Sequence, residues 1–176
     1  MSALPNVKVT VNGRITDSHV EMAVGNERYA TGANAKENSY WLFVLDLTSL
    51  KPVLDMVYDG DNATVPPQLR DLPHDQRHLL ILTACSLRGD RLPQGDFYEY
   101  LTKVGSGVEL RRAEQVFEQM GTGYRGAVSY VLAATLDERD MPGFEEMSFF
   151  HDTYLTFELM PQEIDNEIVY LPIRLR

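Results

Sequence analysis

Val7, Val9 and Val11 alternate with Lys8 and Thr10, the two-residue period of a strand with one buried face, stopped by Asn12-Gly13. From Arg14 to Ala30 the strand character is weaker, with a turn at Gly25-Asn26. The run Tyr40-Trp41-Leu42-Phe43-Val44-Leu45 has no polar face and predicts a central strand, with Lys51 to Tyr58 as its hairpin partner. Leu79 to Ala84 predicts a second buried strand and Arg125 to Leu136 a third. At the C-terminal end Leu155, Phe157 and Leu159 alternate with Tyr154, Thr156 and Glu158. Val169, Leu171, Ile173 and Leu175 do the same, and Pro172, which cannot donate to a ladder, marks an edge strand.

Helical signals are fewer. Thr64 can cap a short helix with Pro66 and Pro67 in its first turn, where a missing N–H costs little. Asp96 and Glu99 open a helix that ends at Gly105, and Ser106 with Glu109 forms a capping box for the next, which ends at Gly121. On that helix Leu110, Ala113, Val116, Phe117 and Met120 make one apolar stripe. The expected fold is α+β and mostly β: two packed, antiparallel-rich sheets with two or three short flanking helices.

The length, 176 residues, fits one domain over 1–176 with a sizeable core. A net charge of −10, with 16 Lys and Arg in no basic stripe, argues against nucleic acid and anionic membranes as partners. Cys85 is the sole cysteine, which excludes an internal disulfide. MSALPNVKVTVNG lacks the pattern of a signal peptide, so synthesis in the cytoplasm is expected. Release inside a virion or extracellular particle is compatible with that.

His74-Asp75-Gln76-Arg77-His78 is one methylene short of the HExxH of zinc proteases. That chemistry needs both imidazoles on one helix face. Pro73 precedes the segment and an apolar run without helical period follows, so a turn leading into a strand at His78 is favoured and no metal is assigned. His19 and His151 have no ligand-type neighbours, and Cys85 at the end of an apolar strand reads as a buried small residue. Gly105-Ser106-Gly107 reads as a helix cap before a phosphate cradle. Tyr58-Asp59-Gly60-Asp61-Asn62 carries alternate oxygens that suit calcium, but it lacks the later glutamate of an EF-hand and is also an ordinary turn. Trp41 reads as core before sugar platform, and Asp137 to Asp140 and Glu145-Glu146 read as solvated loop faces.

From Gly32 to about Phe149 the order of pieces resembles the interleukin-like EMT inducer (ILEI/PANDER) domain family. Gly32-x-Asn34 stands at the opening, WLFVLDLTSLKPVLDMVYDG (41–60) supplies two strands, and Tyr58-Asp59 stands where the family has Phe-Asp. LLILTACS (79–86) is similar to the next strand, FEQMGTG (117–123) to the helix end, and Tyr124-Arg125 to the Phe-Arg pair. The strand-rich ends, 1–30 and 150–176, lie outside the match. The family's arginine before the opening is Thr31 here, and its disulfide cysteines are missing. The resemblance implies a non-enzymatic binding domain, with Asp59, Asp61, Arg125, Tyr124 and Asn34 as candidate ligand-binding residues. Asp59 and Arg125 could bind hydroxyls or pair with each other structurally.

No acid, base and nucleophile stand at a telling spacing, so neither an enzyme nor a cofactor is expected. Two functions remain open. One is a structural and binding subunit of a larger assembly, such as a phage or bacterial tail or capsid accessory protein, forming homo-oligomers through its terminal strands. The other is a free-standing lectin-like module that binds a glycan.

Overall fold

The structure is a computed structural model that describes residues 4–32, 35–120, 126–137 and 142–173. Strands hold 47% of the residues and helices 19%, in two antiparallel sheets and three helices, the α+β, mostly β class expected. The first sheet joins the two ends of the chain. Its strands are β1 (Val7–Gly13), β2 (Glu21–Val24), β3 (Glu27–Ala30), β10 (Thr153–Ile164) and β11 (Glu167–Ile173), in the order β11-β10-β1-β2-β3. β1 pairs with β10 over seven residues, Val7 opposite Leu159 through Gly13 opposite Thr153. The second sheet holds β4 (Ser39–Asp46), β5 (Lys51–Tyr58), β6 (His78–Cys85), β7 (Leu87–Arg88), β8 (Ala127–Thr135) and β9 (Phe144–Ser148). β5, β4, β6 and β8 are successive neighbours, and β7 and β9 also pair with β8.

The apolar runs are buried on both faces because the second sheet is a middle layer. Trp41, Phe43, Leu45, Ile81 and Val131 face the first sheet and meet Val9, Val11, Leu155 and Phe157. Tyr40, Leu42, Val44, Leu82 and Leu132 face the helices α1 (Pro67–Arg70), α2 (Gly95–Lys103) and α3 (Val108–Met120), where they meet Leu69, Phe97, Leu101 and Leu110. Trp41 is a core residue; its indole N–H donates to Asp55 at 2.8 Å. No helix among the described residues is long and apolar enough to cross a membrane.

β1 ends at Asn12-Gly13 as expected, both residues still being paired in the strand. Asn12 Oδ1 accepts the Glu21 amide at 2.8 Å, and Gly13 lies against Val131 and Tyr130 of the second sheet. A Cβ there would lie 2.6 Å from Thr153 Oγ1 and 3.2 Å from the Tyr130 carbonyl, so only glycine fits. Several local expectations change. Thr64 does not cap α1, which starts after Pro66 without any side-chain cap. The apolar stripe of α3 narrows to Leu110, Ala113 and the half-buried Phe117, because Met120 is 48% exposed. Within the terminal segments β1 and β10 each have a partner on both sides, and the edges of that sheet are β3 and β11, one from each end of the chain. Pro172 does lie on the edge strand β11.

Candidate functional site

Of the five candidate binding residues, Asp59 and Asp61 fall in the loop after β5, while Asn34, Tyr124 and Arg125 lie outside the described residues. The loop turns its oxygens inward on its own donors. Tyr58 Oη donates to the Asp61 carbonyl at 2.7 Å, and Asp61 Oδ1 accepts the Ala63 amide at 3.0 Å. Arg91 donates to the Gly60 carbonyl at 2.7 Å, and Asn62 Nδ2 to the Leu92 carbonyl at 2.6 Å. Asp59 pairs with Lys36 at 2.5 Å, and that ammonium holds its carboxyl below the usual carboxylate range. Two cations thus meet the oxygens that calcium would need. Among the described residues no group of three or more His, Cys, Asp or Glu could hold a metal ion.

The histidine pair sits as its local sequence suggested. Pro73 and His74 are irregular, residues 75 to 77 form the turn, and His78 opens β6 with its Nδ1 2.7 Å from Asp75 Oδ1. The His74 ring meets the edge of Tyr100 at 5.5 Å, so the two imidazoles serve separate contacts. Cys85 is fully buried, and burial pushes its thiol up to about 11. A thiol so placed is an inert core group.

A highly connected polar residue is one that sequence reading assigned to a solvated loop. Glu145 belongs to β9 and faces the start of α3. Its Oε1 accepts Tyr130 Oη at 2.5 Å, Ser106 Oγ at 2.6 Å and the Gly107 amide at 3.1 Å. Its Oε2 accepts the Val108 and Glu109 amides at 3.1 and 3.3 Å. The capping box expected of Ser106 and Glu109 is therefore not formed: the cap comes from a strand 36 to 38 residues later. Glu109 pairs with Arg112 instead, at 3.6 Å. Burial, then the Glu145 charge, pushes the Tyr130 phenol well up, so it stays a donor. Five donors consume the carboxylate, which makes this a structural clamp.

A surface turn and a surface cleft are open to a ligand or partner. The first is the turn between β9 and β10, which displays Phe150 at 84% exposure. Ser148 Oγ accepts the Phe150 and His151 amides at 3.2 and 3.3 Å, and Ser129 Oγ donates to the His151 carbonyl at 2.7 Å. Beyond it Asp152 takes Arg14 at 2.7 Å and the Ile15 amide at 3.0 Å. Phe149, one residue earlier, turns inward onto Phe117 with ring centres 5.6 Å apart.

The second is a cleft of about 320 Å³ on the outer face of the first sheet. Two cross-strand rows build it: Tyr154, Asn12, Glu21 and Ala30 in one, Thr156, Thr10, Ala23 and Arg28 in the other. Small alanines and threonines form its floor, while Tyr154, Glu21 and Arg28 stand as walls. Neither feature had a sequence signal beyond the alternation of β10 that turns Tyr154 outward.

No family model matches the chain, and no curated protein matches it.

Proposed function

We propose that the protein is a non-enzymatic structural and binding subunit of a larger assembly, a tail or capsid accessory protein of a phage or bacterial particle, with a core similar to the interleukin-like EMT inducer domain. The braced turn that presents Phe150 carries this reading. Burying an exposed phenylalanine gains roughly 1.5–3 kcal/mol, and a turn already fixed by hydrogen bonds loses little freedom on docking. Such rigid aromatic anchors are what protein interfaces are built around. Light scattering across a concentration series tests the reading: the wild-type chain is expected as a defined oligomer and Phe150→Asp as a smaller species. A wild-type monomer at every concentration would refute it.

A second reading, a lectin-like module, is favoured by the outer cleft. Tyr154, 67% exposed, offers a ring face, and Arg28, Glu21 and Asn12 offer donors and acceptors for hydroxyls. Glycan-array binding that disappears in Tyr154→Ala supports it; an array with no signal for the wild type removes it.

A further inference from the structure

We propose that two copies of the chain join through the free edge of β3, in a two-fold antiparallel ladder that sets Arg28 of each copy opposite Ala30 of the other. The inference rests on the assembly-subunit reading and names the surface through which that assembly begins.

The edges of the two sheets are not alike. β5 carries Lys51 and Pro52 and a bulge opposite Val44/Leu45, and β11 carries Pro172. These are common devices against edge pairing. β9 packs against α3. β3 has no proline, and no element among the described residues pairs with its outer edge.

Its free backbone groups can be named. β2 and β3 form a hairpin with a two-residue turn at Gly25-Asn26, Gly25 having φ 58. In such a hairpin the residues flanking the turn exchange hydrogen bonds, and bonded pairs then recur at every second position. Val24–Glu27 and Met22–Tyr29 are thus bonded pairs. The Thr31 amide continues the series, donating to the Val20 carbonyl at 3.1 Å. Arg28 and Ala30 fall between these positions, so their N–H and C=O groups point away from β2. Among the described residues nothing bonds to them.

Three two-fold registers would pair those groups. Arg28 opposite Arg28 brings like charges together and makes two hydrogen bonds. Ala30 opposite Ala30 also makes two, because β3 ends there and Gly32 turns left-handed, φ 57. Arg28 opposite Ala30 makes four, and it places Tyr29 beside its own copy at the two-fold axis.

That third register also matches charge. Within one copy Glu21 lies opposite Ala30 on the outer face, and both Glu21 and Arg28 are exposed. Across the junction the row reads Glu21, Ala30, then Arg28 of the second copy. The two charged residues are two strands apart, about 10 Å between backbones. Only the methyl group of Ala30 lies between them. The guanidinium can reach over it to the carboxylate, and symmetry makes this contact twice. Among the described residues Arg28 has no ion pair within its own copy.

The test uses the full chain. Light scattering over a concentration series reads the dimer constant for the wild type, for Arg28→Glu and for the exchange Glu21→Arg with Arg28→Glu. Reversing one charge turns both contacts repulsive and is expected to weaken dimerisation about tenfold or more, with recovery in the exchanged protein. Both positions are exposed, so folding is spared. Backbone hydrogen exchange is the second measurement: the Arg28 and Ala30 amides are expected to slow as concentration rises, while the Tyr29 amide, already bonded, does not. An oligomer that is lost in Phe150→Asp but keeps its constant in Arg28→Glu, with no added protection at Arg28 and Ala30, overturns this inference and leaves the subunit reading standing. Protection that instead follows addition of an unrelated extended peptide, in a chain that stays monomeric, overturns both.

Discussion

Removing the Glu145 carboxylate should be the most damaging single polar change available in this fold. In Glu145→Ala the amides of Gly107, Val108 and Glu109 lose their acceptor, and helix caps of this kind are worth roughly 0.5–2 kcal/mol. Tyr130 Oη, in a residue only 1% exposed, loses the carboxylate but keeps Ser106 Oγ at 2.9 Å as a partner, so the loss there is that of one hydrogen bond, about 0.5–1.5 kcal/mol. Together these give a loss of about 2 kcal/mol, a sizeable part of the roughly 5–15 kcal/mol that holds a typical domain together. Urea unfolding followed by circular dichroism measures it. Glu145→Gln should fall between, since its amide oxygen can replace one acceptor while its NH2 group faces donors. Ser106→Ala removes one donor of five and should cost less than Glu145→Ala. If Ser106→Ala costs more, or if Glu145→Ala costs under about 0.5 kcal/mol, the reasoning is wrong and the local capping box governs α3 after all.

Gly13→Ala would drive a methyl group to 2.6 Å from Thr153 Oγ1 and 3.2 Å from the Tyr130 carbonyl; because one neighbour is backbone, a loss of about 1–3 kcal/mol is expected in the same urea experiment. Asp152 yields a pH dependence. Burial by itself would raise its carboxyl, but the Arg14 hydrogen bond, the Ile15 amide and the Arg14 charge outweigh that and hold it below its usual value. A depressed folded-state value means that its contribution is present above the unfolded pKa, near ~3.9, and is lost as pH falls through the folded value. Asp152→Asn should therefore flatten the acid limb of a stability–pH curve; an unchanged limb would show that the pair with Arg14 contributes nothing.

Much of the fold could be read from the chain because periodicity records burial directly. The three unbroken apolar runs mark the strands of the middle layer, and the period of two in β1 and β10 marks the outer one, since a pleated strand sends alternate residues to opposite faces. Pro172 announced an edge for an equally local reason: it lacks an N–H. What the sequence could not supply was the identity of distant partners. Glu145 looked like a solvated loop acid because its five donors come from residues 15 to 39 positions earlier. The Tyr58–Asn62 loop looked able to hold a cation until Lys36 and Arg91 were seen to meet its oxygens. The surface sites were equally hidden. Phe149 and Phe150 are adjacent and chemically identical, yet one packs on Phe117 and the other stands 84% exposed. Arg28 and Glu21 belong to one cleft only because a hairpin folds them onto a common face. Local sequence determined which residues form strands and which face of each is apolar; only the tertiary structure decided which polar groups are satisfied and which face outward, because hydrogen-bond partners are chosen by proximity in space, and proximity between distant segments is set when the sheets close.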